Sequence, residues 1–294
     1  MESDIALIRE RKPELSVHSV NTYRQSLKRL YKVSPSLDVN EIKKYVYNLE
    51  NVAVARNLIT PLLILKKPGF RQIFDDLANR YHDYVMNQTP TERQRRNVTT
   101  LAKVRKMVRR MREDVTTHDL LSPTKKLNQR ERRLVIAYIS YSILLELPMR
   151  SNLADLVVVQ TLHAMKNKNQ NFYVVSQRSI FLNDFKTKRA FARRDMLPLK
   201  LTLSQKSASL VNLYIAQNKI EGGPLFHQMS KSKHNNILLA HSYKYLGVRI
   251  GVTMLRHIIL SEFEKRNPSL RERKEMMKKM QQINIETQMS YRFL

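Results

Sequence analysis

The sequence predicts a mixed α/β protein that is mostly α-helical, with a helical N-terminal domain and a helical C-terminal domain that contains a small antiparallel sheet. Apolar residues recur at helical spacing through most of the chain, and short β-type runs occur only between residues 171 and 199. The length of 294 residues is enough for two domains. With only five glycines, the chain has neither a Walker loop nor a dinucleotide-binding fingerprint, which argues against ATP and NAD chemistry.

The N-terminal domain is predicted over residues 1–88. Its first helix, over 16–31, has an apolar face made by Val17, Val20, Tyr23, Leu27 and Leu30. Asp38 followed by Glu41 is a capping-box pattern and predicts the start of a second helix. Two more helical runs follow, over 51–66 and 70–86.

Residues 89–122 are predicted to form a basic linker helix. The stretch from Arg93 to Arg112 contains nine basic residues and no acidic one. Such a run resists folding unless something neutralises it, which favours DNA contact over a merely solvated face. The candidate DNA-binding residues are Arg93, Arg95, Arg96, Arg105, Arg109 and Arg110.

The C-terminal domain is predicted over residues 123–294. It begins with an apolar helix over 127–147, and a helix over 205–219 and three further helices complete it. Three short strands are predicted between them, at 171–176, 179–185 and 195–199. His227 and His234 fall in a polar segment and are expected to be ordinary surface residues.

The overall charge indicates a polyanionic partner. Fifty-three lysines and arginines against 25 acidic residues give a net charge of +28, which favours nucleic acid. A membrane is the second candidate, but no run of 18 apolar residues and no lipidation motif occurs. The absence of cysteine excludes disulfides, thiolate zinc sites and a cysteine nucleophile.

Four separated residues form a candidate catalytic set. Arg256 lies in an apolar helical run, where an arginine is unusual unless it binds an anion. Arg150 begins a predicted helix, Lys186 lies at a predicted hairpin turn, and Tyr291 lies on a polar segment near the end of the sequence. Two arginines can neutralise a phosphodiester, and a tyrosine can attack it.

In this order and spacing, the four residues resemble the tyrosine recombinase (phage-type integrase) family. The resemblance is strongest to the type found in large eukaryotic DNA viruses and related mobile elements. It implies a DNA-clamping core-binding domain at 1–88 and a catalytic domain at 123–294, in a tyrosine recombinase-like fold. The opening Leu15-Ser16-Val17-His18-Ser19-Val20-Asn21-Thr22-Tyr23 is similar to that of the family's core-binding domain.

The resemblance also implies the chemistry. Arg150 and Arg256 would clamp the phosphate, Tyr291 would form a 3′-phosphotyrosyl link, and Lys186 would protonate the leaving 5′ oxygen. Lys188 or Arg189 is the alternative acid. No cofactor and no metal are expected. The implied partner is double-stranded DNA, bound by a homotetramer on paired sites inside the cell, in the host nucleus or a viral replication compartment if the protein is viral.

Two positions depart from the family pattern. Thr253 stands where the family usually has histidine, and Gln282 stands where it usually has histidine or tryptophan. Neither threonine nor glutamine can act as a general base near neutral pH. His257 matches the family's second-box histidine and is expected to orient the helix or Arg256. The departures favour a first alternative, a weakened or inactive DNA-binding protein of the same fold used in genome processing. A type IB topoisomerase-like enzyme is the second alternative, and a metal-dependent nuclease using Asp75, Asp76, Glu262 or Glu264 is the third.

Overall fold

The computed structural model describes residues 1–87, 92–227 and 229–284. Within a few helices, the side chains of residues 85–87, 93 and 94 are also outside the described part. The chain divides into two compact units, Met1–Thr89 and Pro90–Leu294. Each unit has its own buried core.

The first unit is entirely helical in its described part. Its helices are α1 (Glu2–Arg11), α2 (Val17–Val33), α3 (Val39–Tyr47), α4 (Val52–Ile64) and α5 (Phe70–Asn87). Side chains cap the starts of α2 and α3: Ser16 accepts from the Ser19 amide, and Asp38 accepts from the amides of Asn40 and Glu41. Helix α1 was not predicted, because only Ile5 and Ile8 of its ten residues are buried and its apolar face is short.

The core of the first unit follows the predicted apolar face. Val20, Leu27 and Leu30 of α2 are 3% exposed or less, and they pack with residues of α3, α4 and α5. Val17 is the exception, at 73% exposure. Burial of this face is what holds five short helices together, since isolated helices of this length are marginal in water.

The second unit is built around a central helix. Its helices are α6 (Glu92–Arg95), α7 (Leu101–Thr117), α8 (Gln129–Glu146), α9 (Lys188–Ala192), α10 (Gln205–Gln217), α11 (Lys231–Leu246), α12 (Val252–Glu264) and α13 (Leu270–Lys279). Helix α8 starts with a complete capping box between Asn128 and Glu131. It is buried almost all round from Val135 to Leu144, as expected for the middle of a core.

The basic segment after residue 89 belongs to this second unit. Five residues of α7 at helical spacing are buried in the main core: Leu101, Val104, Met107, Met111 and Val115. The hydroxyl of Tyr245 on α11 also donates to Asp114 on α7. In place of one linker helix, the described part of 89–122 contains α6 and α7, and α7 packs on α8 and α11 as part of the second unit.

A five-stranded sheet lies in the second unit. Its strands are β1 (Leu156–Val159), β2 (Asn171–Val174), β3 (Ser179–Leu182), β4 (Leu199–Thr202) and β5 (Gly223–Pro224), in the order β4-β3-β2-β1-β5. Strands β1 and β2 are parallel and the other three pairs are antiparallel, so the sheet is mixed and the prediction of an antiparallel sheet was wrong. The parallel pair arises from β1, a nearly continuous buried run of four residues with no alternation for sequence analysis to detect.

The strand predicted at 195–199 is displaced. Asp195 has a positive φ of 52°, which is incompatible with extended backbone, and the strand begins only at Leu199. From there to Thr202, buried and exposed residues alternate. The fold class itself is confirmed: the protein is mostly helical, with a helical first unit and a second unit that carries one small sheet. None of the helices in the described ranges has the length and apolar character needed to cross a membrane.

Candidate active site

Arg150 lies between α8 and a short 3-10 helix, Ser151–Asp155. The residue is half-buried, and its backbone amide donates to Oε1 of Gln281 at 3.3 Å. Its Nε atom is buried and has no hydrogen-bond acceptor among the described residues. A buried guanidinium nitrogen without an acceptor is uncommon, and an anion would supply one.

Arg256 lies in the middle of α12 and is 2% exposed. Its Nη2 atom donates to the backbone carbonyl of Met280, at 2.7 Å. The side chain of Asn235 on α11 caps α12, because Oδ1 accepts from the Val252 amide at 3.1 Å. Gly251 makes this possible, since a Cβ atom there would lie 2.6 Å from the same oxygen.

Lys186 lies in the connection between β3 and α9, and it is exposed. The connection is tied down by the backbone carbonyl of Asp184, which accepts from the side-chain amides of Asn152, at 3.1 Å, and Asn171, at 2.8 Å. The Asn171 side chain also accepts from the Asp184 amide, at 2.9 Å. The backbone that carries Lys186 is therefore held against the backbone that carries Arg150.

Gln281 connects these pieces, and sequence analysis did not identify it. Its fully buried side chain accepts from the Arg150 amide and donates to Oδ1 of Asn152 at 3.0 Å. Its backbone carbonyl accepts from the hydroxyl of Thr187 at 2.8 Å. Because Met280, the preceding residue, accepts from Arg256, two consecutive residues contact all three segments. We call Met280–Gln281 the junction.

The junction also has a distinctive backbone. Gln281 has a φ of 56°, in the left-handed region, where residues other than glycine are uncommon. This conformation follows α13 directly and turns the chain so that Gln281 and Gln282 are both buried. The only signal in the sequence is the pair of glutamines after a charged helix, which by itself indicates nothing.

The three supporting residues occupy different environments. Thr253 is exposed and His257, one turn later on α12, is partly buried. Gln282 is 2% exposed, and its amide donates to the Met277 carbonyl at 2.9 Å. Gln282 also lines a cavity of about 440 Å³ together with Phe191, Arg194 and Met277. Thr253 and Gln282 are therefore not equivalent as candidate phosphate donors.

Lys188, the alternative acid, is already paired. Its Nζ atom lies 2.7 Å from Oδ1 of Asp184, one helical turn away. Within the described ranges, Lys186 forms no ion pair or hydrogen bond through its side chain, so its ammonium group is available to a substrate. Of the two lysines, Lys186 fits a mobile proton donor better. Tyr291, the predicted nucleophile, lies outside the described residues.

The candidate DNA-binding arginines are on the surface. Arg105, Arg109 and Arg110 are exposed on α7, opposite the buried stripe of that helix. Arg95 and Arg96 are exposed as well, and Arg96 pairs with Glu92. The side chain of Arg93 is outside the described part. The five described arginines are therefore exposed to solvent and are not part of the buried core.

The prediction that His234 is a surface residue was wrong. His234 lies in α11, is fully buried, and stacks on Phe226 with ring centroids 5.7 Å apart. Its Nε2 atom lies 2.8 Å from the hydroxyl oxygen of Ser140. Burial lowers the pKa of His234 to about 4, so the imidazole is neutral in the folded protein. His227 is exposed, as predicted.

The four acidic residues proposed for a metal-dependent nuclease, the third alternative, all have partners within the protein. Arg71 pairs with Asp75, Tyr47 donates to Asp76, and Glu262 pairs with Lys265. Glu264, which is 8% exposed, pairs with Arg273 at 2.5 Å. Within the described ranges, no group of three or more acidic or histidine side chains is arranged to hold a metal ion.

Comparison with known proteins gives only distant similarity. No family model matches the chain, and no curated protein matches it. Among solved structures, a crystal structure of XerA recombinase is similar at a TM-score of 0.41 and 10% sequence identity, covering 99% of this chain and 92% of that one. A similarity this low assigns no family to the chain.

Proposed function

We propose that the protein is a DNA strand transferase of the tyrosine recombinase type, which cuts and rejoins DNA through a phosphotyrosyl intermediate. The observation that carries the proposal is the junction. Arg256 and the segments that bear Arg150 and Lys186 come from three distant parts of the chain, and all three bond to Met280–Gln281. Arg256 and the segments of Arg150 and Lys186 are therefore joined through one part of the second unit, which supports the proposal.

In the proposed reaction, the phenolic oxygen of Tyr291 attacks phosphorus and gives up its proton to solvent water, because neither Thr253 nor Gln282 can accept it. The bond from phosphorus to the 5′ oxygen breaks, and Lys186 protonates that oxygen as it leaves. The guanidinium groups of Arg150 and Arg256 neutralise the non-bridging oxygens as charge develops. The new phosphotyrosyl bond conserves the energy of the broken one, so rejoining needs no ATP and no metal.

The state of Arg256 makes a specific demand on this mechanism. At 2% exposure, its guanidinium is closed to an incoming phosphate, and the Met280 carbonyl takes one of its donors. A phosphate oxygen is the same kind of acceptor with more charge, so it can replace that carbonyl. The proposal therefore requires the junction to shift when DNA binds.

The burial of Arg256 also favours a second function, non-catalytic DNA binding. A non-catalytic DNA-binding protein of this fold would keep Arg256 as a structural hydrogen-bond donor and would need no base at positions 253 and 282. Thr253 is exposed and Gln282 is buried, so the two do not form an evident base-replacing pair. In either case we propose double-stranded DNA as the partner. Assembly as a tetramer on paired sites belongs to the enzyme alone.

Covalent trapping separates the two functions. The full-length protein is incubated with nicked suicide duplexes of varied sequence, and adducts are detected by denaturing electrophoresis. The enzyme should form an adduct that is lost in Tyr291→Phe and retained in Tyr243→Phe, a control at an exposed tyrosine. Binding without any adduct would support the non-catalytic protein. Relaxation of supercoiled plasmid without site preference would indicate a topoisomerase-like enzyme instead.

A further inference from the structure

A groove on the second unit, apart from the candidate active site, is lined by basic side chains. It runs between the first turns of α8 and the outer face of α11, and its central part has a volume of about 480 Å³. The cations that line it are Arg130 and Arg133 from α8, and Lys233 and Lys244 from α11. All four residues are exposed.

These four cations are not neutralised by acidic side chains in the described part of the protein. Within the described ranges, Arg130, Arg133, Lys233 and Lys244 form no ion pair. Two acidic residues, Glu131 and Asp114, line a neighbouring pocket with Arg130 and Lys244, and both have other partners: Glu131 caps α8, and Asp114 accepts from the Tyr245 hydroxyl. Blocks of one sign raise the energy of the folded state unless an external charge neutralises them.

The groove is distinct from the candidate active site. Arg133 lies in the second turn of α8, whereas Arg150 follows the other end of that helix. The helix extends about 20 Å between Arg133 and its last residue, Glu146, at 1.5 Å per residue. A ligand in the groove therefore does not occupy the position of the scissile phosphate.

The shape of the groove selects the class of ligand. Lys233 and Lys244 lie on one helix and are about 16 Å apart along its axis. A single phosphate cannot reach both, whereas a DNA strand, which carries one charge per about 3.4 Å of its axis, presents several phosphates over that length. A row of exposed, flexible cations suits a linear polyanion better than a compact one.

We propose that this groove, the distal groove, binds the phosphate backbone of duplex DNA at a second place on the second unit. The proposal rests on the proposed DNA-binding function and adds a contact that the catalytic residues do not make. The second unit would then contact the duplex at two separate places, the reacting phosphate and the distal groove.

Salt dependence tests the contact. Binding of the full-length protein to a labelled 30-base-pair duplex is measured between low and moderate salt. Loss of two phosphate contacts should reduce the slope of log Kd against log salt by about 1.8 in the variant Arg133→Gln/Lys244→Gln. The matched control is Lys166→Gln/Lys168→Gln, which removes two charges from an exposed loop. Equal slopes for the two variants would overturn the proposal.

Site-directed crosslinking gives an independent measurement. Because the chain lacks cysteine, Ala240→Cys provides a single thiol, at an exposed position in the groove, for a photo-crosslinker. We expect a crosslink to duplex DNA that is weakened by Arg133→Gln/Lys244→Gln, and a much weaker one from Lys166→Cys. Absence of a crosslink from residue 240, with DNA bound, would contradict the proposal.

These experiments distinguish failure of the distal-groove proposal from failure of the proposed strand-transfer function. An adduct at Tyr291 with an unchanged salt slope and no crosslink would contradict the distal groove alone. A crosslink with no adduct would contradict strand transfer and support the groove. If the wild-type protein fails to bind duplex DNA, both proposals are wrong.

Discussion

Arginine has opposite roles at the junction and on α7. Arg256 is 2% exposed and donates to a backbone carbonyl, whereas Arg105, Arg109 and Arg110 are exposed on the face opposite the buried stripe of α7. A buried guanidinium must be satisfied by its neighbours, so its substitution affects stability. An exposed one is satisfied by water, so its substitution should affect only what it binds. The comparison therefore separates residues that hold the candidate site together from residues that are proposed to contact DNA.

Substitution of Arg256 should have the largest effect. Arg256→Ala leaves the Met280 carbonyl without its donor, which costs about 1–3 kcal/mol of unfolding free energy. If strand transfer is the function, the adduct should also form more slowly by a factor on the order of 10²–10³, as when one transition-state donor is removed. Urea unfolding and timed trapping measure the two effects.

Arg109→Ala is the matched control for Arg256→Ala. It removes the same charge from an exposed position, and we expect its stability to stay within about 0.5 kcal/mol of wild type. An adduct rate that falls equally in both variants would show that only net charge matters. Retention of the full rate by Arg256→Ala would remove it from the catalytic set.

Gln281 should be coupled to Asn152, and this coupling tests the junction directly. Gln281→Met keeps the side-chain length but can neither accept from Arg150 nor donate to Asn152. A double-mutant cycle with Asn152→Ala should give an interaction energy of about 0.5–3 kcal/mol, as for residues that share one hydrogen-bond network. Additive effects on unfolding would indicate that the junction does not act as a unit.

The two kinds of region also differ in how far the sequence predicts them. The apolar face of α2 and the buried core of α8 follow from helical periodicity, because each is a local pattern of burial. Arg256 could be singled out because a charge in an apolar run contradicts that pattern. The fold class was predictable for the same reason.

The junction could not be predicted. Gln281 contacts Arg150, Asn152 and Thr187, which are roughly 100 residues or more distant in the chain, and no local pattern encodes such a contact. Strand β1 was missed because three of its four residues are buried and the run has no alternation of apolar and polar residues. His234 was misjudged because its neighbours in the sequence are polar, although its neighbours in the fold are Phe226 and Ser140.

His234 is a buried titratable group, and its burial should make the stability of the protein depend on pH. Its pKa is about 4 in the folded protein and about 6.5 when unfolded, so the unfolded state binds a proton first as pH falls. The neutral His234 therefore contributes fully to the free energy of unfolding above pH 6.5. This contribution is lost as the pH falls towards 4, at about 1.4 kcal/mol per pH unit and roughly 3 kcal/mol in total. Urea unfolding at pH 7.5 and pH 5 should show roughly 2 kcal/mol of this loss.

His234→Phe should remove that part of the pH dependence, because phenylalanine keeps the stacking on Phe226 and cannot titrate. The variant will be less stable at pH 7.5, since Ser140 loses its partner, but its stability should fall less on acidification. His163→Phe, at an exposed position, should keep the wild-type pH dependence. Identical pH dependence in wild type and His234→Phe would show that His234 is not the group responsible.

The exposed arginines of α7 should give the smallest effect on stability and a clear effect on binding. The triple variant Arg105→Gln/Arg109→Gln/Arg110→Gln leaves the buried stripe intact, so each change should alter the free energy of unfolding by no more than about 0.5 kcal/mol. If all three contact phosphates, the slope of log Kd against log salt should fall by about 2.7. Trapping at saturating DNA should give the wild-type adduct yield, because none of the three belongs to the junction. A lower yield at saturation would instead place this face in the reaction, and an unchanged slope would mean that the cationic surface of α7 is not where the DNA lies.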